Sequence, residues 1–373
     1  RKMNPATTDS DRSEAQTAVA APKRVVIASA YSEHHRARLE ALFQPAQTVF
    51  LAPGAHAILR RELRTADIAV LPTVPDATYL QYQQLRWVHC NRSGLDACAT
   101  REIINAPFAV TSASGRSAAV LAEHALFFML ALAYNSAQQL KAQRNRVWGL
   151  SGAGKMRGLE GRRVLLIGLG CTAKALVPRC LALGLQVSAF RRSAGGDEGL
   201  GIPVSSLAAG DSVDDLLQHA DIVVLAASLN DSSHAMLGER QFALLKPGAM
   251  LVNVARARLT DTAALKAALK RGTLSGAGLD VTDPEPLPPW DSLWRQQNVL
   301  ITPHVTPRVA DRENAEIDII EDNYNRFLSG RTLRNRLRHA DLYTHASNTS
   351  QRRLTTRVIR ARNRLLRPSV RRV

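Results

Sequence analysis

Val164-Leu165-Leu166-Ile167-Gly168-Leu169-Gly170-Cys171-Thr172-Ala173 is the stretch on which the fold turns. A short apolar run rich in β-branched and leucine side chains stops at a glycine, and helical periodicity takes over from Thr172 to Leu183. Gly168 to Ala173 fits G-x-G-x-x-G/A, placed between a strand and a helix as that motif requires. Gly168 permits the tight turn, Gly170 lets the backbone approach a pyrophosphate, and Ala173 is small enough for close helix–strand packing. Leu169, Cys171 and Thr172 complete the loop, and the helix N-terminus turns unbonded N–H groups toward an anion. The strand before and the helix after favour a dinucleotide loop over a plain glycine turn.

Downstream, strands are predicted over 186–190, 222–226, 250–254, 275–280 and 299–302, alternating with helices or helical turns near 213–219, 239–244 and 261–270. Upstream, a second alternating series has strands over 24–30, 48–51, 68–71 and 87–90 and helices over 33–43 and 55–63. Both series predict α/β architecture, two doubly wound parallel sheets with helices on both faces. The break between the series falls near Lys155. A helix over 118–132 is apolar almost all round and is expected to be buried, and a last helix over 309–328 closes the globular part.

A chain of 373 residues suits two domains. The formal net charge of +17 is concentrated at one end: residues 331–373 hold thirteen Arg and a single acid, Asp341, so the body is only mildly basic. That excludes a general nucleic-acid binder. The tail, with Leu354, Val358 and Leu365 at near-helical spacing, is expected to be a solvated, partly disordered extension, with an adhesive arm for nucleic acid, anionic lipid or an acidic partner as the alternative. Residues 1–22 are expected to form a disordered lead, with neither the apolar core of a secretion signal nor the acid-poor composition of a transit peptide. Cys90, Cys98, Cys171 and Cys180 show no C-x-x-C spacing and no neighbouring His cluster, so no metal is expected; reduced, mostly packed thiols fit a cytoplasmic setting. The longest apolar stretch is interrupted by Glu123 and His124 and is too short to span a bilayer.

Where a carboxylate would bind the ribose 2′-OH of NAD, about 20 residues past the glycines, the chain reads Phe190-Arg191-Arg192-Ser193. Two guanidiniums and a hydroxyl suit a 2′-phosphate, so NADP is the preferred cofactor expected, with NAD possible. Three later segments supply polar groups for carbonyl reduction: Asn253-Val254-Ala255-Arg256, then Gly278-Leu279-Asp280 with Glu285 five residues on, then Ile301-Thr302-Pro303-His304. A His delivers a proton near neutral pH, a neighbouring carboxylate keeps it charged and oriented, and an Arg fork binds a carboxylate while polarising a carbonyl.

In this order, the motifs resemble the D-isomer-specific 2-hydroxyacid dehydrogenase family, from about Lys23 to Leu328. The resemblance implies a Rossmann cofactor domain (126–304) inserted into a flavodoxin-like substrate domain (23–125 and 305–330), followed by the tail. It implies that Arg256 binds substrate, that His304 is the acid/base with Glu285 as its partner, that Asp280 lies near the nicotinamide side of the cofactor, and that Ala255 also binds the cofactor. Arg92, Ser93 and Gly94 match the loop holding the substrate carboxylate, and residues 112–123 lead into the interdomain helix. A hydride would pass between the nicotinamide and C2 of a small 2-keto or 2-hydroxy acid, glyoxylate or hydroxypyruvate foremost, in a homodimer with 118–132 at its interface. Glu285 in place of an amide argues against the formate-oxidising branch, and no extra regulatory domain of the long phosphoglycerate dehydrogenases is visible. Ala257 after Arg256, Val305-Thr306-Pro307-Arg308 after His304, and Ser228 after the third cofactor strand depart from common family patterns. The alternative is a non-catalytic dinucleotide sensor or scaffold that uses the basic tail.

Overall fold

The computed structural model describes residues 20–149, 156–306 and 312–345. The predicted break near Lys155, most of the expected N-terminal lead and the Leu354–Leu365 stretch lie outside them. The described chain forms two compact units.

The first unit comprises residues through Ser93, Asn105–Ala113 and Glu313–Leu337. Its strands are β1 (Arg24–Ile27), β2 (Gln47–Phe50), β3 (Ile68–Leu71), β4 (Trp87–Cys90) and β5 (Ala109–Ser112), all parallel in the order β2-β1-β3-β4-β5. That is the flavodoxin-like order. The helices α1 (Glu33–Phe43) and α2 (His56–Glu62) follow β1 and β2. Ser32 caps α1 by accepting the N–H of His35. Strands β3 and β4 are buried at every residue, which is why β3 reads as an unbroken apolar run and β4 as one interrupted only by the buried His89. The returning helix seals the core with Ile317, Ile320, Tyr324 and Phe327 against Leu39, Phe43 and Trp87.

The second unit comprises Gly94–Ile104, Ser114–Arg312 and the chain from Arg338. It carries α3 (Arg101–Ile104), α4 (Ala118–Ala133) and α5 (Ser136–Arg144) ahead of its sheet. The sheet strands are β6 (Arg163–Ile167), β7 (Gln186–Arg191), β8 (Val204–Ser206), β9 (Ile222–Leu225), β10 (Ala249–Asn253), β11 (Leu274–Leu279) and β12 (Val299–Ile301). Between them run α6 (Cys171–Ala182), α7 (Val213–Leu217), α8 (Glu239–Leu244) and α9 (Thr262–Arg271), and α10 (Arg312–Leu328) is the helix that returns to the first unit. The order β12-β11-β10-β9-β6-β7-β8 is the Rossmann winding with one added strand. Register pairs Phe190 with Ile167, Ile167 with Leu225, Leu225 with Asn253, Asn253 with Leu279 and Leu279 with Ile301. One level line therefore crosses six strands, and the loops beyond it are the carboxyl edge where such sheets bind ligands.

Three expectations change. Strands β5 and β8 were not predicted, being short edge strands with mixed polarity. The helix expected to be buried all round is buried on one face only: Ala122, Ala125, Phe128 and Met129 join the core of α6 and the sheet, whereas Phe127 and Leu130 are exposed. Residues 94–104 and 114–125 pack with the second unit: Gly94 and Asp96 lie against Arg256, and α4 inserts Phe128 so tightly that a Cβ on Gly278 would meet its ring atoms at 2.4–2.6 Å. The tail is not an extension from residue 331: Leu333 and Leu337 are buried, Arg336 bridges to Thr111 on β5, and Tyr343 is buried in the second unit. Among the described residues no single helix is long and apolar enough to cross a membrane.

Candidate functional site

Gly168 ends β6 with φ +98°, and a Cβ there would lie 2.6 Å from the backbone of Ala227. Only glycine fits. Gly170 is different: its φ of −87° is open to any residue, and a Cβ would meet nothing within 4 Å. The space above Gly170 is thus available to a ligand. Leu169 and Ala173 are buried, and Ala173 lies in the core under α6, while Cys171 is exposed and Thr172 half-buried. The helix has no side-chain cap, and its first intrahelical donor is the N–H of Lys174, bonded to Gly170 O at 2.9 Å. The N–H groups of the first turn before Lys174 thus lack intrahelical partners, which is the arrangement that fits a pyrophosphate. A cavity of about 270 Å³ opens there, lined by Gly168–Gly170, Arg191–Ser193, Asn230 and Arg338 among others.

At the end of β7, Arg191 donates to Ser193 Oγ (3.1 Å) and to Glu198 Oε1 (2.9 Å). Arg192 turns instead to Asp341 Oδ1 (3.0 Å) and the carbonyl of Ala340. Glu198, seven residues past Arg191, also pairs with Lys174; these two cations hold its carboxyl below the usual range. The 20-residue rule does not look that far, so the sequence reading missed it. Glu198 does not line the cleft, whereas Arg191 and Arg192 do.

Three further groups follow the ends of adjacent strands. Arg256, three residues beyond β10, has its guanidinium plane set by Asp96 Oδ1 at Nε (2.9 Å) and by Ala255 O at Nη1 (2.9 Å). Asn253 caps this turn, accepting the N–H of Ala255 and donating to Arg256 O. Gly94 lies flat against the same guanidinium: a Cβ would sit 1.8 Å from Nη2. Asp96 is a positioning residue to which the sequence alone gives no role. Its signal was a lone acid four residues past Arg92, too weak to pair with Arg256 across 160 positions.

His304 Nδ1 is 2.7 Å from Glu285 Oε1, with both side chains partly exposed. That contact leaves Nε2 as the ring nitrogen facing outward. His304 sits at φ +50°, its N–H bonded to Asp280 O (2.9 Å), so the turn and not the side chain sets its direction. Asp280 lies beneath. Its carboxylate is 1% exposed and accepts from Thr302 Oγ1 (2.6 Å), Val305 N (3.2 Å) and Thr306 Oγ1 (2.7 Å). Thr306, one of the departures from the family pattern, therefore clamps the His304 turn to Asp280. His124 of α4 contacts both Thr302 and Thr306, and burial pushes its pKa down against the pull of Asp280.

Arg92 and Ser93 belong to the first unit, just past β4. Both are exposed; Arg92 donates to Pro72 O (3.3 Å), and the preceding Asn91 is pinned by Ser29 (2.7 Å) and Tyr31 (2.9 Å).

Residues 126–306 match the domain described as "D-isomer specific 2-hydroxyacid dehydrogenase, NAD binding domain". A Corynebacterium melassecola protein described as an uncharacterized protein in the proB 3′ region is 30% identical over 270 residues, 69% of this chain and 83% of that protein. The chain belongs to the D-isomer-specific 2-hydroxyacid dehydrogenase family. A glyoxylate reductase of Korarchaeum cryptofilum is 26% identical over 287 residues, 75% of this dehydrogenase and 85% of the relative. The solved D-isomer specific 2-hydroxyacid dehydrogenase of Xanthobacter autotrophicus Py2, in complex with NADPH and MES, superposes with a TM-score of 0.71 at 25% identity over 85% of this chain and 98% of its own. The family is one of oxidoreductases, with a Rossmann domain that binds NAD.

Proposed function

We propose that the dehydrogenase is an NADPH-preferring reductase of a small 2-keto acid, glyoxylate or hydroxypyruvate. The observation that carries this reading is the Nδ1–Oε1 contact of 2.7 Å between His304 and Glu285, on the same sheet edge as an Arg256 oriented by Asp96. A bound nicotinamide supplies the hydride. Arg256 holds the substrate carboxylate and polarises the C2 carbonyl, so charge developing on oxygen meets a fixed cation. His304 Nε2 gives its proton to that oxygen, and Glu285 keeps the ring oriented and balances the imidazolium. Arg92, Ser93 and Gly94 supply the loop for the substrate carboxylate. Ala255 contributes to the cofactor site, and Asp280 acts near its nicotinamide end through the turn it clamps.

NADP preference rests on Arg191, Arg192 and Ser193 along the cleft, with no carboxylate among the β7-end residues that line it. The choice of substrate rests on the glyoxylate reductases among the relatives. Homodimer formation rests on the exposed apolar side chains Phe127, Leu130, Tyr134, Leu140 and Trp148 of the α4–α5 region. A Phe127→Asp variant is then monomeric by light scattering.

The test follows oxidation of NADPH and NADH with glyoxylate, hydroxypyruvate, pyruvate and an aryl keto acid. The reading requires turnover with the small acids, faster with NADPH, and a loss of about 10² or more in His304→Ala. Dinucleotide binding without turnover on any acid would instead favour a sensor using its basic C-terminus.

A further inference from the structure

The chain beyond α10 carries a cation to the cofactor cleft that the dinucleotide fold does not itself supply. From Arg338 to His345 this strap is fixed to the second unit at several independent points. Asp341 accepts from Arg192 (3.0 Å), Leu342 O accepts the N–H of Asp231 (2.9 Å) and the N–H of Tyr343 donates to Ala99 O (2.9 Å). Thr344 donates through its N–H to Asp231 Oδ1 (2.7 Å), and His345 stacks on His234 with ring centroids 4.3 Å apart. Tyr343 is 4% exposed, so the strap is anchored by burial as well as by hydrogen bonds.

Anchoring fixes Arg338. Its N–H is bonded to Asp341 Oδ2 (3.1 Å), and its side chain, 73% exposed, lines the cavity with Arg191, Arg192 and Ser193. The other two guanidiniums are charge-compensated, Arg191 by Glu198 and Arg192 by Asp341. Arg338 Nε stands 3.9 Å from Asp341, beyond hydrogen-bonding distance, and Asp341 is committed to Arg192. Of the three guanidiniums, Arg338 thus contributes the least compensated positive charge at the adenosine end of the cleft.

The geometry points to Arg338 as the third guanidinium of a site for the 2′-phosphate of an NADP-type dinucleotide, delivered by the C-terminal strap. This rests on the proposed NADPH preference and deepens it. A phosphate dianion placed between Arg191 and Arg192 alone would meet two cations that already share carboxylates; Arg338 adds the charge and the planar fork that discriminate it from a hydroxyl. Cofactor choice in this protein then depends on residues outside the Rossmann strands.

The test is calorimetric titration of the full chain with adenosine 2′,5′-bisphosphate and with AMP, which differ only in the 2′-phosphate. Wild type is compared with Arg338→Ala, Arg338→Glu and Arg191→Ala. We expect Arg338→Ala to weaken the bisphosphate about tenfold while AMP changes less than about twofold, and Arg338→Glu to weaken the bisphosphate further. Equal losses for both ligands, or no loss for either, would overturn the inference. If wild type discriminates and only Arg191→Ala abolishes it, Arg338 has no part in recognition and the NADP reading stands. If wild type binds both ligands alike, the NADP reading itself fails, and the inference with it.

Discussion

Gly168 and Gly170 stand two residues apart in one motif, yet the structure assigns them opposite tasks, and substitution by alanine separates them. At Gly168 the backbone sits at φ +98°, and the added Cβ would be 2.6 Å from both N and Cα of Ala227 and 2.8 Å from C of Ala226. These are backbone atoms of the segment following β9, hydrogen-bonded to β6, and they cannot rotate aside. A strained φ costs about 1–3 kcal/mol and a rigid overlap a similar amount, so Gly168→Ala should destabilise by about 4 kcal/mol. For a protein of this size that lowers Tm by roughly 8–16 °C. At Gly170 the Cβ enters open space at an ordinary φ, so Gly170→Ala loses only the N-cap preference for glycine over alanine, about 1 kcal/mol, and should melt within about 4 °C of wild type. With the pyrophosphate seated over this loop as proposed, the same Cβ would occupy its approach, and dinucleotide affinity should fall about tenfold to a hundredfold. Scanning calorimetry and quenching of protein fluorescence by NADPH read the two quantities separately. A Gly170→Ala protein that binds NADPH like wild type, or a Gly168→Ala protein that melts at the wild-type temperature, would refute this division.

Three further expectations rest on the same geometry. Glu285→Gln keeps the shape but removes the charge at His304 Nδ1; kcat should fall about a hundredfold with KM little changed, measured in steady state. Gly94→Ala drives a methyl into Arg256, whose flexible end gives way; thermal stability should hold while kcat/KM falls about tenfold or more, and Asp96→Asn should reproduce part of that loss. Asp221 ties β9 to β6: burial pushes its pKa up, but the N–H of Arg163 (2.9 Å) and Lys246 outweigh it and hold the carboxyl below its ordinary value. A depressed folded-state pKa contributes stability that is complete above the unfolded value of about 3.9 and is lost as pH falls through the folded value. Urea unfolding at pH 7, 5 and 3 should therefore show Asp221→Asn less stable by about 1 kcal/mol at pH 7, with the gap narrowing toward pH 3.

Much of this was legible in one dimension. The strand–glycine–helix transition at Ile167–Cys171, the apolar runs of β3, β9 and β10, and the sequence of Arg256, Glu285 and His304 follow from local residue chemistry, because a parallel strand is buried on both faces and its carboxyl end is where loops carry polar groups. The short edge strands β5 and β8 did not stand out, since an edge tolerates polar and apolar residues alike. Neither did the exposed face of α4, because a run of alanines and leucines has the same composition whether or not its second face is covered.

The amino-acid order by itself therefore determined the strand–glycine–helix loop and the parallel sheets, set by contacts within a few residues or by regular periodicity, and marked Arg256, Glu285 and His304 as candidates through the motifs they sit in. Only the tertiary structure decided that Asp96 aims Arg256 across 160 positions, that Asp280 spends its carboxylate on Thr302, Val305 and Thr306, and that the basic C-terminus begins as a strap bringing Arg338 to the cavity lined by Gly168–Gly170 and Arg191–Ser193. Each of these brings together groups far apart in sequence. A single charge or hydroxyl carries no mark of its partner until the fold has brought the two within hydrogen-bonding distance.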